Sequence, residues 1–379
     1  MSTDFLRLFR RLISIPSVSS AHPDIDQSNL MVIELLAETF SALGFACDII
    51  PVPGLHPKAN LIATLGSGPG GLVLSGHTDT VPFDESLWQT NPLQATEKDG
   101  RLYGLGSTDM KGFFAVVQEA VRDFVAMPLQ QPLIILATAD EESSMQGAFV
   151  LAELGRPRAR YAVIGEPTGL KPVIGHKGIM METIRIQGRS GHSSNPALGH
   201  NALEAMHEVL GELLAFRQQL QAAYRNPHFA IEVPTLNLGV IHGGDNPNRI
   251  CGHCALEFDL RLLPGMANDL VREDIRALLH PIAERHQVAI ELSPLFPGIP
   301  PFANPHSELA AIASKLTGHA PEVVAFGTEG PFLQQLGMDT IILGPGSIDL
   351  AHQPNEYLAL NQVQPCIDIL QNLIRRFCL

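Results

Sequence analysis

The chain has 379 residues, of which 45% are hydrophobic and 17% charged. This length exceeds what one hydrophobic core usually organises, so two domains are expected, and the composition excludes a disordered chain. The 39 acidic and 25 basic residues give a net charge of −14, which argues against a nucleic acid or an anionic membrane as partner.

The amino-terminal segment mixes Asp4, Arg7, Arg10 and Arg11 with apolar residues at helical spacing. It therefore lacks the uninterrupted apolar stretch of a secretory signal. No apolar run approaches the ~18 residues needed to span a bilayer. These features predict a soluble, cytoplasmic protein.

The cysteines are few and odd in number, which does not favour a disulfide framework. Cys251 and Cys254 have the spacing of a redox dithiol or of half a zinc site. They lead into the alternating strand pattern of residues 255–260 instead of opening a helix, and no second Cys/His pair stands at zinc spacing. We therefore expect structural cysteines.

Helical and extended patterns alternate over the first half of the chain. Helical patterns span Asp26–Phe45 and Gly112–Phe124. Apolar runs typical of buried strands occur at Ala59–Leu65, Gly71–Ser75, Leu133–Ala137 and Ala162–Gly165. This alternation predicts an α/β domain built on a mixed sheet. The glycine-rich stretch 66–71 is expected to be a turn, because a strand follows it and no Lys-Ser/Thr pair closes it.

From about Lys177 the pattern changes to the order β-α-β-β-α-β, a compact two-layer unit that can fold as an inserted domain over residues 178–293. Its elements are expected at Met181–Gln187, Asn201–Tyr224, Thr235–His242, Ala255–Leu262, Asn268–Arg285 and Val288–Leu292. The last stretch resumes the first pattern, with a helix from Ser307, a strand at Thr340–Leu343 and a final helix to Phe377. Residues 1–177 and 294–379 are thus expected to form one catalytic domain.

Polar side chains stand at or just beyond the ends of the expected strands, where open α/β sheets gather their sites. His77 and Asp79 share a face if the backbone is extended, so one could bind a metal while the other fixes the imidazole tautomer. Adjacent side chains diverge, so Glu141 and Glu142 can serve different targets. Each motif alone has a structural explanation, such as a turn at His77 or a helix N-cap at Asp109.

Taken together, these segments offer five metal-ligand candidates: His77, Asp109, Glu142, Glu166 and His352. Imidazole and carboxylate ligands suit zinc or a similar divalent ion, and one shared aspartate would make a two-metal site. Glu141 could then accept the proton of a metal-activated water. The implied reaction is hydrolysis of an amide.

The motifs GHTDTVP, GLGSTDMKG, ATADEE, IGEPT and AHQPNE, read in this order, resemble the zinc aminoacylase and carboxypeptidase family over nearly the whole chain. The resemblance implies a metallopeptidase-like catalytic domain with an inserted lid or dimerisation domain. It implies that His77, Asp109 and Glu166 hold one zinc ion and that Asp109, Glu142 and His352 hold the other, with Co²⁺ as a substitute. It further implies that Asp79 orients His77, that Glu141 is the general base, and that a non-proline cis peptide follows Asp109.

Within that family, the stretches IQGRSGHSSNPA, LNLGVIHGGDNPNRICGHC and LGPGSIDLAHQPNEYL are most similar to the branch that deacetylates N²-acetylornithine in arginine biosynthesis. The chain departs from that branch at Gly330, where alanine is expected. The resemblance implies that Arg261 binds the substrate α-carboxylate, a planar anion suited to a guanidinium fork. Further candidate substrate contacts are Asn248, Thr328, Glu329 and the Gly346-Ser347 turn.

The same resemblance implies a homodimer in which His192 reaches into the partner's cleft and stabilises the developing oxyanion. Alternatives within the class are hydrolases of acetylcitrulline or succinyl-diaminopimelate. An alternative from another class is a non-catalytic, metal-dependent binding protein. The presence of Glu141 disfavours that alternative, because a binding protein does not need a proton acceptor beside its metals.

Overall fold

The computed structural model describes residues 2–54 and 56–379. The chain divides into two compact units. The first comprises the chain up to Ile174 together with Asn304–Glu322 and Thr328–Leu379. The second comprises Gly175–Ala303 and Val323–Gly327.

The helices and strands follow one another along the chain in three stretches. The first contains α1 (Thr3–Ser14), α2 (Leu30–Ala42), β1 (Ala46–Val52), β2 (Lys58–Leu65), β3 (Leu72–His77), β4 (Thr96–Lys98), β5 (Arg101–Tyr103), α3 (Lys111–Val121), β6 (Leu133–Thr138), α4 (Gln146–Leu154), β7 (Tyr161–Ile164) and β8 (Val173–His176). The second contains β9 (Gly178–Gln187), α5 (Ala202–Ala223), β10 (Thr235–Gly243), β11 (His253–Leu262), α6 (Asn268–His286), β12 (Ala289–Pro294) and β13 (Phe302–Ala303). The third contains α7 (Glu308–Thr317), β14 (Glu322–Val324), α8 (Gly330–Gln335), β15 (Asp339–Ile342), β16 (Tyr357–Ala359) and α9 (Leu360–Cys378).

The first unit is built on a sheet in which the strands lie in the order β1-β2-β6-β3-β7-β15. β6, β3, β7 and β15 run parallel, whereas β1 and β2 pair antiparallel with each other and β2 with β6. Every residue of β3, β6 and β7 is buried, as expected of strands covered on both faces. This mixed sheet confirms the predicted α/β fold.

A small sheet in the order β16-β5-β4 adds to the first unit. Its register places Tyr357 opposite Tyr103. The end of β5 and the start of β16 therefore lie side by side, so the loop that follows β5 and the loop that precedes β16 meet at the same end of this sheet. The sequence patterns did not predict these strands, because segments this short carry too few alternations to stand out.

The helix α3 is almost wholly buried. Phe113 and Phe114 pack tilted to one another with ring centroids 6.5 Å apart. α1 buries Phe5, Phe9 and Leu12 at helical spacing, and the Ser2 hydroxyl caps its first turn by accepting from the Phe5 N–H at 3.0 Å. These apolar side chains belong to one core that also takes in the central strands.

The second unit is an antiparallel sheet in the order β10-β11-β9-β12, with α5 and α6 completing the predicted β-α-β-β-α-β succession. Alternate residues of β9 and β11, such as Ile184 and Phe258, are buried in a core shared with the two helices. The other alternate residues, such as Met181 and Arg261, therefore lie on the opposite face of the sheet.

Two predicted bounds differ from those of the structure. The second unit covers Gly175–Ala303 and Val323–Gly327, where residues 178–293 were predicted. The helix expected over Asp26–Phe45 begins only at Leu30 and ends at Ala42. The side chain of its N-cap residue, Asn29, donates to the Ala59 carbonyl and the Thr78 hydroxyl and does not cap the helix.

Within the described ranges, no helix is long and apolar enough to cross a membrane. All five cysteines are free, and Cys251 and Cys254 are buried in the core of the second unit. This agrees with the expectation of structural cysteines.

Candidate metal centre

The site lies where neighbouring parallel strands end. β3 stands between β6 and β7 and pairs parallel with both, so the loops that follow these strands meet at one edge of the sheet. His77 is the last residue of β3, Glu141 and Glu142 follow β6, and Glu166 follows β7. Residues far apart in sequence are brought together in this way.

His77 lies at the centre of the first group and is 1% exposed. Its Nε2 is 3.0 Å from Asp109 Oδ1 and 3.7 Å from Glu166 Oε1. Potential ligand atoms of His77, Glu141 and Glu166 all lie within 4.8 Å of one another.

The second group is completed by His352, which precedes β16. Its Nε2 is 2.9 Å from Glu142 Oε2 and 3.5 Å from Asp109 Oδ2. His77, Asp109 and Glu142 also form a set of potential ligand atoms within 4.8 Å of one another. The two oxygens of Asp109 thus face different histidines, which is the arrangement a shared ligand needs.

Asp79 touches both groups, in part through its backbone. His77 Nδ1 lies 3.0 Å from the Asp79 carbonyl oxygen and 3.7 Å from its Oδ1. The Glu142 N–H donates to Asp79 Oδ2 at 3.0 Å. The backbone carbonyl of Asp79 is therefore the nearer partner of the imidazole, and its carboxylate fixes the backbone at Glu142.

The electrostatics of the site are those of crowded, buried carboxylates. Burial, together with the neighbouring charge of Asp109, raises the pKa of Glu142 to about 7 and that of Glu166 well above its usual range. Burial also raises the pKa of Glu141 well above its ordinary value, opposed by His77 and reinforced by Glu166. For His77, burial lowers the pKa, but the hydrogen bond to Asp109 and the charge of Glu166 leave it well above the ordinary value.

This donor set fits divalent cations. Asp79 Oδ1 and Glu142 Oε1 are buried and find no hydrogen-bond partner among the described residues. A buried carboxylate oxygen without a partner is costly unless a proton or a cation neutralises it. Mixed imidazole and carboxylate ligands are those preferred by zinc and similar ions.

Backbone geometry shapes the loops that carry these side chains. The peptide bond between Asp109 and Met110 is cis, as the resemblance implies. Asp140 and His352 have positive φ values of 61° and 59°. The N-cap residue of α3 is Met110, with no side-chain cap, so the alternative role of Asp109 as a helix cap is not observed.

Two buried glutamates contribute contacts that the sequence did not assign. Glu356 accepts hydrogen bonds from the backbone N–H groups of Gly106, Thr108 and Asp109. Glu329 is 2% exposed and its Oε2 accepts from the Ser75 hydroxyl at 3.4 Å. Its Oε1 is buried and has no hydrogen-bond partner among the described residues, so the candidate contact of Glu329 with substrate stays a prediction.

The predicted substrate-binding residues lie in both units. Thr328, in the first unit, is buried, and its hydroxyl accepts from the Gly330 N–H at 3.1 Å. In the second unit, His192 is exposed and the Ser193 N–H donates to the Asn248 carbonyl at 3.0 Å, so His192 and Asn248 lie in neighbouring loops. Arg261 lies on β11, where its Nε contacts Asp259 Oδ1 at 3.0 Å.

Comparison with known families agrees with this architecture. The family described as Peptidase family M20/M25/M40 matches residues 73–376. The chain belongs to this family.

Solved structures with the same fold span nearly the whole chain. An M20 family metallo-carboxypeptidase from Sulfolobus solfataricus is 19% identical, with a TM-score of 0.75 and 99% of each chain covered. A tripeptidase from Staphylococcus aureus is 20% identical, with a TM-score of 0.71 and 98% of each chain covered. A Bacillus subtilis protein described as a dinuclear metal-binding M20 peptidase is 15% identical, with a TM-score of 0.68 and 98% of each chain covered. At these identities the likeness shows a shared fold.

Proposed function

We propose that this chain hydrolyses the amide bond of N-acyl amino acids with two divalent metal ions, zinc by preference, and that its substrate is N²-acetylornithine. Membership of the peptidase family supports amide hydrolysis. The observation that carries the proposal is the position of Asp109 between His77 and His352, at 3.0 and 3.5 Å from their Nε2 atoms. The ligands we assign are His77, Asp109, Glu142, Glu166 and His352.

When bound, such a metal pair polarises the substrate carbonyl and lowers the pKa of a water molecule. The chain supplies the proton acceptor through Glu141, which lies in the same group of carboxylates as Glu166. Burial raises the pKa of Glu141, and a carboxylate with a raised pKa is a stronger proton acceptor than an ordinary glutamate. The proton taken from the water can then pass to the leaving amine.

The preference for acetylornithine is supported by the resemblance of the stretches around His192, Asn248 and His352 to the deacetylase branch. In this proposal Arg261 binds the α-carboxylate, with Asn248 and Thr328 as further contacts. In this proposal the product is ornithine, and the enzyme serves arginine biosynthesis in the cytoplasm. Acetylcitrulline and succinyl-diaminopimelate remain the alternative acylated substrates.

Peptide hydrolysis is a second candidate activity, favoured by the family description and by the tripeptidase among the similar structures. A steady-state panel separates the candidates. Zinc- and cobalt-loaded enzyme should give its highest kcat/KM with acetylornithine, and chelation should abolish turnover. A panel led by di- or tripeptides, or by another acyl amino acid, would reject acetylornithine as the substrate. Binding of these compounds without any turnover would favour the non-catalytic alternative.

We further propose that the protein is a homodimer in which His192 serves the partner's active site. His192→Ala and Glu141→Ala homodimers should then both be nearly inactive. A mixed dimer brings an intact Glu141 and an intact His192 together in one of its two sites, so co-expression should restore a substantial fraction of activity. Verified heterodimers that remain inactive would show that His192 does not act across subunits.

A further inference from the structure

The loop that carries Asp109 is held from one side by a single buried carboxylate. Glu356 is 2% exposed and accepts from the N–H groups of Thr108 at 2.7 Å and of Asp109 and Gly106 at 3.0 Å each. The Ser107 hydroxyl adds a longer contact at 3.4 Å. One side chain thus accepts from three of the four backbone N–H groups of segment 106–109, and the fourth, that of Ser107, donates to the Gly104 carbonyl at 3.1 Å.

The backbone of Glu356 also contacts the loop that follows β5. Its carbonyl accepts from the Gly104 N–H at 3.0 Å, next to the pairing of Tyr357 with Tyr103. Glu356 also ends the short segment that begins at His352, directly before β16. The loops of two assigned metal ligands, Asp109 and His352, therefore meet at this residue.

The backbone of segment 106–109, which donates to Glu356, has little conformational freedom. Gly106 has a φ of +77°, a conformation that side chains rarely adopt. A Cβ on Gly112 would come 2.2 Å from the Ser107 carbonyl oxygen, so the start of α3 closes against the same segment. The loop therefore keeps this conformation as long as its N–H groups have acceptors. A carboxylate has enough acceptor sites to take hydrogen bonds from three of them at once.

We propose that Glu356 is a positioning residue for the metal centre: it fixes the Asp109 loop against the His352 loop, so that Asp109 can face both metal positions. Glu356 itself is not assigned as a ligand. This inference rests on the proposed two-metal function. Partners of this kind, one step removed from the metal, typically change metal affinity 10- to 100-fold when they are removed.

The test compares Glu356→Gln with the wild-type chain. Glutamine keeps the size of the side chain but replaces one acceptor oxygen with a donor, which must face a backbone N–H. We expect zinc affinity, measured by competition with a chromogenic chelator on the metal-free protein, to fall about 10- to 100-fold. Glu356→Asp keeps the charge and should lie between Glu356→Gln and the wild type, and it remains measurable if the glutamine variant does not fold.

A matched control separates positioning from general destabilisation. Arg272→Met breaks a buried ion pair in the second unit and should lower the melting temperature without changing zinc affinity. If both Glu356 variants bind zinc like the wild type while their melting temperatures fall, Glu356 is merely structural and the proposal is wrong. Failure of the proposed function can be told apart from failure of this proposal. A wild type that binds zinc but hydrolyses no acyl amino acid would reject the function, and the zinc affinities of the variants could still be compared.

Discussion

The ion pair between Arg272 and Glu182 gives a prediction whose size follows from burial. Arg272 Nη2 lies 2.7 Å from Glu182 Oε1, and Nε lies 3.1 and 3.2 Å from the two carboxylate oxygens. The Glu182 side chain is 0% exposed and that of Arg272 is 10% exposed. Arg272 also contacts Asp269, but that side chain is 91% exposed and contributes at most about 1 kcal/mol.

Replacing Arg272 with methionine leaves the Glu182 carboxylate buried without its cation. Removal of one partner from a buried pair costs about 3–5 kcal/mol, whereas replacing both partners with apolar residues of similar size is often neutral or stabilising. We therefore expect Arg272→Met to lower the free energy of unfolding of the second unit by about 3–5 kcal/mol. Adding Glu182→Met should recover most of that loss.

Amide hydrogen exchange measured along β9 and α6 reads the stability of these elements directly. Protection of their slowest amides should fall in the single variant and return in the double variant. A loss below about 1 kcal/mol in Arg272→Met would refute the argument, because it would mean that Glu182 is neutralised or hydrated at small cost. A double variant as unstable as the single would refute it too.

Two further predictions concern the metal centre. Asp79→Asn should lower zinc affinity about 10- to 100-fold in a chelator competition, because the Glu142 N–H loses its charged acceptor. Unchanged zinc affinity would show that Asp79 does not support the metal site. Gly165→Ala should destabilise the chain by about 1–3 kcal/mol in thermal unfolding, since the new Cβ would lie 2.3 Å from Phe113 ring carbons. Because residue 165 is the chain neighbour of Glu166, the same substitution should weaken metal binding. A wild-type melting temperature and zinc affinity in this variant would show that the close approach at residue 165 does not constrain Glu166.

The strand ends explain why much of the candidate site could be predicted from the sequence. Apolar runs such as Leu133–Ala137 identify buried parallel strands, and parallel strands end at the same edge of a sheet. Polar residues that follow such runs must therefore meet, whatever the details of the loops. His77, Glu142 and Glu166 are of this kind.

Other features depend on contacts that leave no local pattern. Glu356 ends the motif AHQPNE, but that motif does not indicate its hydrogen-bond partners, which are N–H groups some 250 positions away in the chain. Strands as short as β5 and β16 have no periodicity to detect. The role of the Asp79 carbonyl towards His77 belongs to the backbone, so no residue type can indicate it.

We propose different roles for two neighbouring glutamates, with Glu141 as the proton acceptor and Glu142 as a metal ligand, and the variant Glu141→Gln separates these roles. Glu141→Gln should retain about two zinc ions per subunit by elemental analysis, because Glu141 is not among the assigned ligands. Its kcat on acetylornithine should fall about 10²- to 10⁴-fold, the usual contribution of a general base. A Glu141→Gln enzyme that carries both ions and turns over acetylornithine at nearly the wild-type kcat would contradict the account.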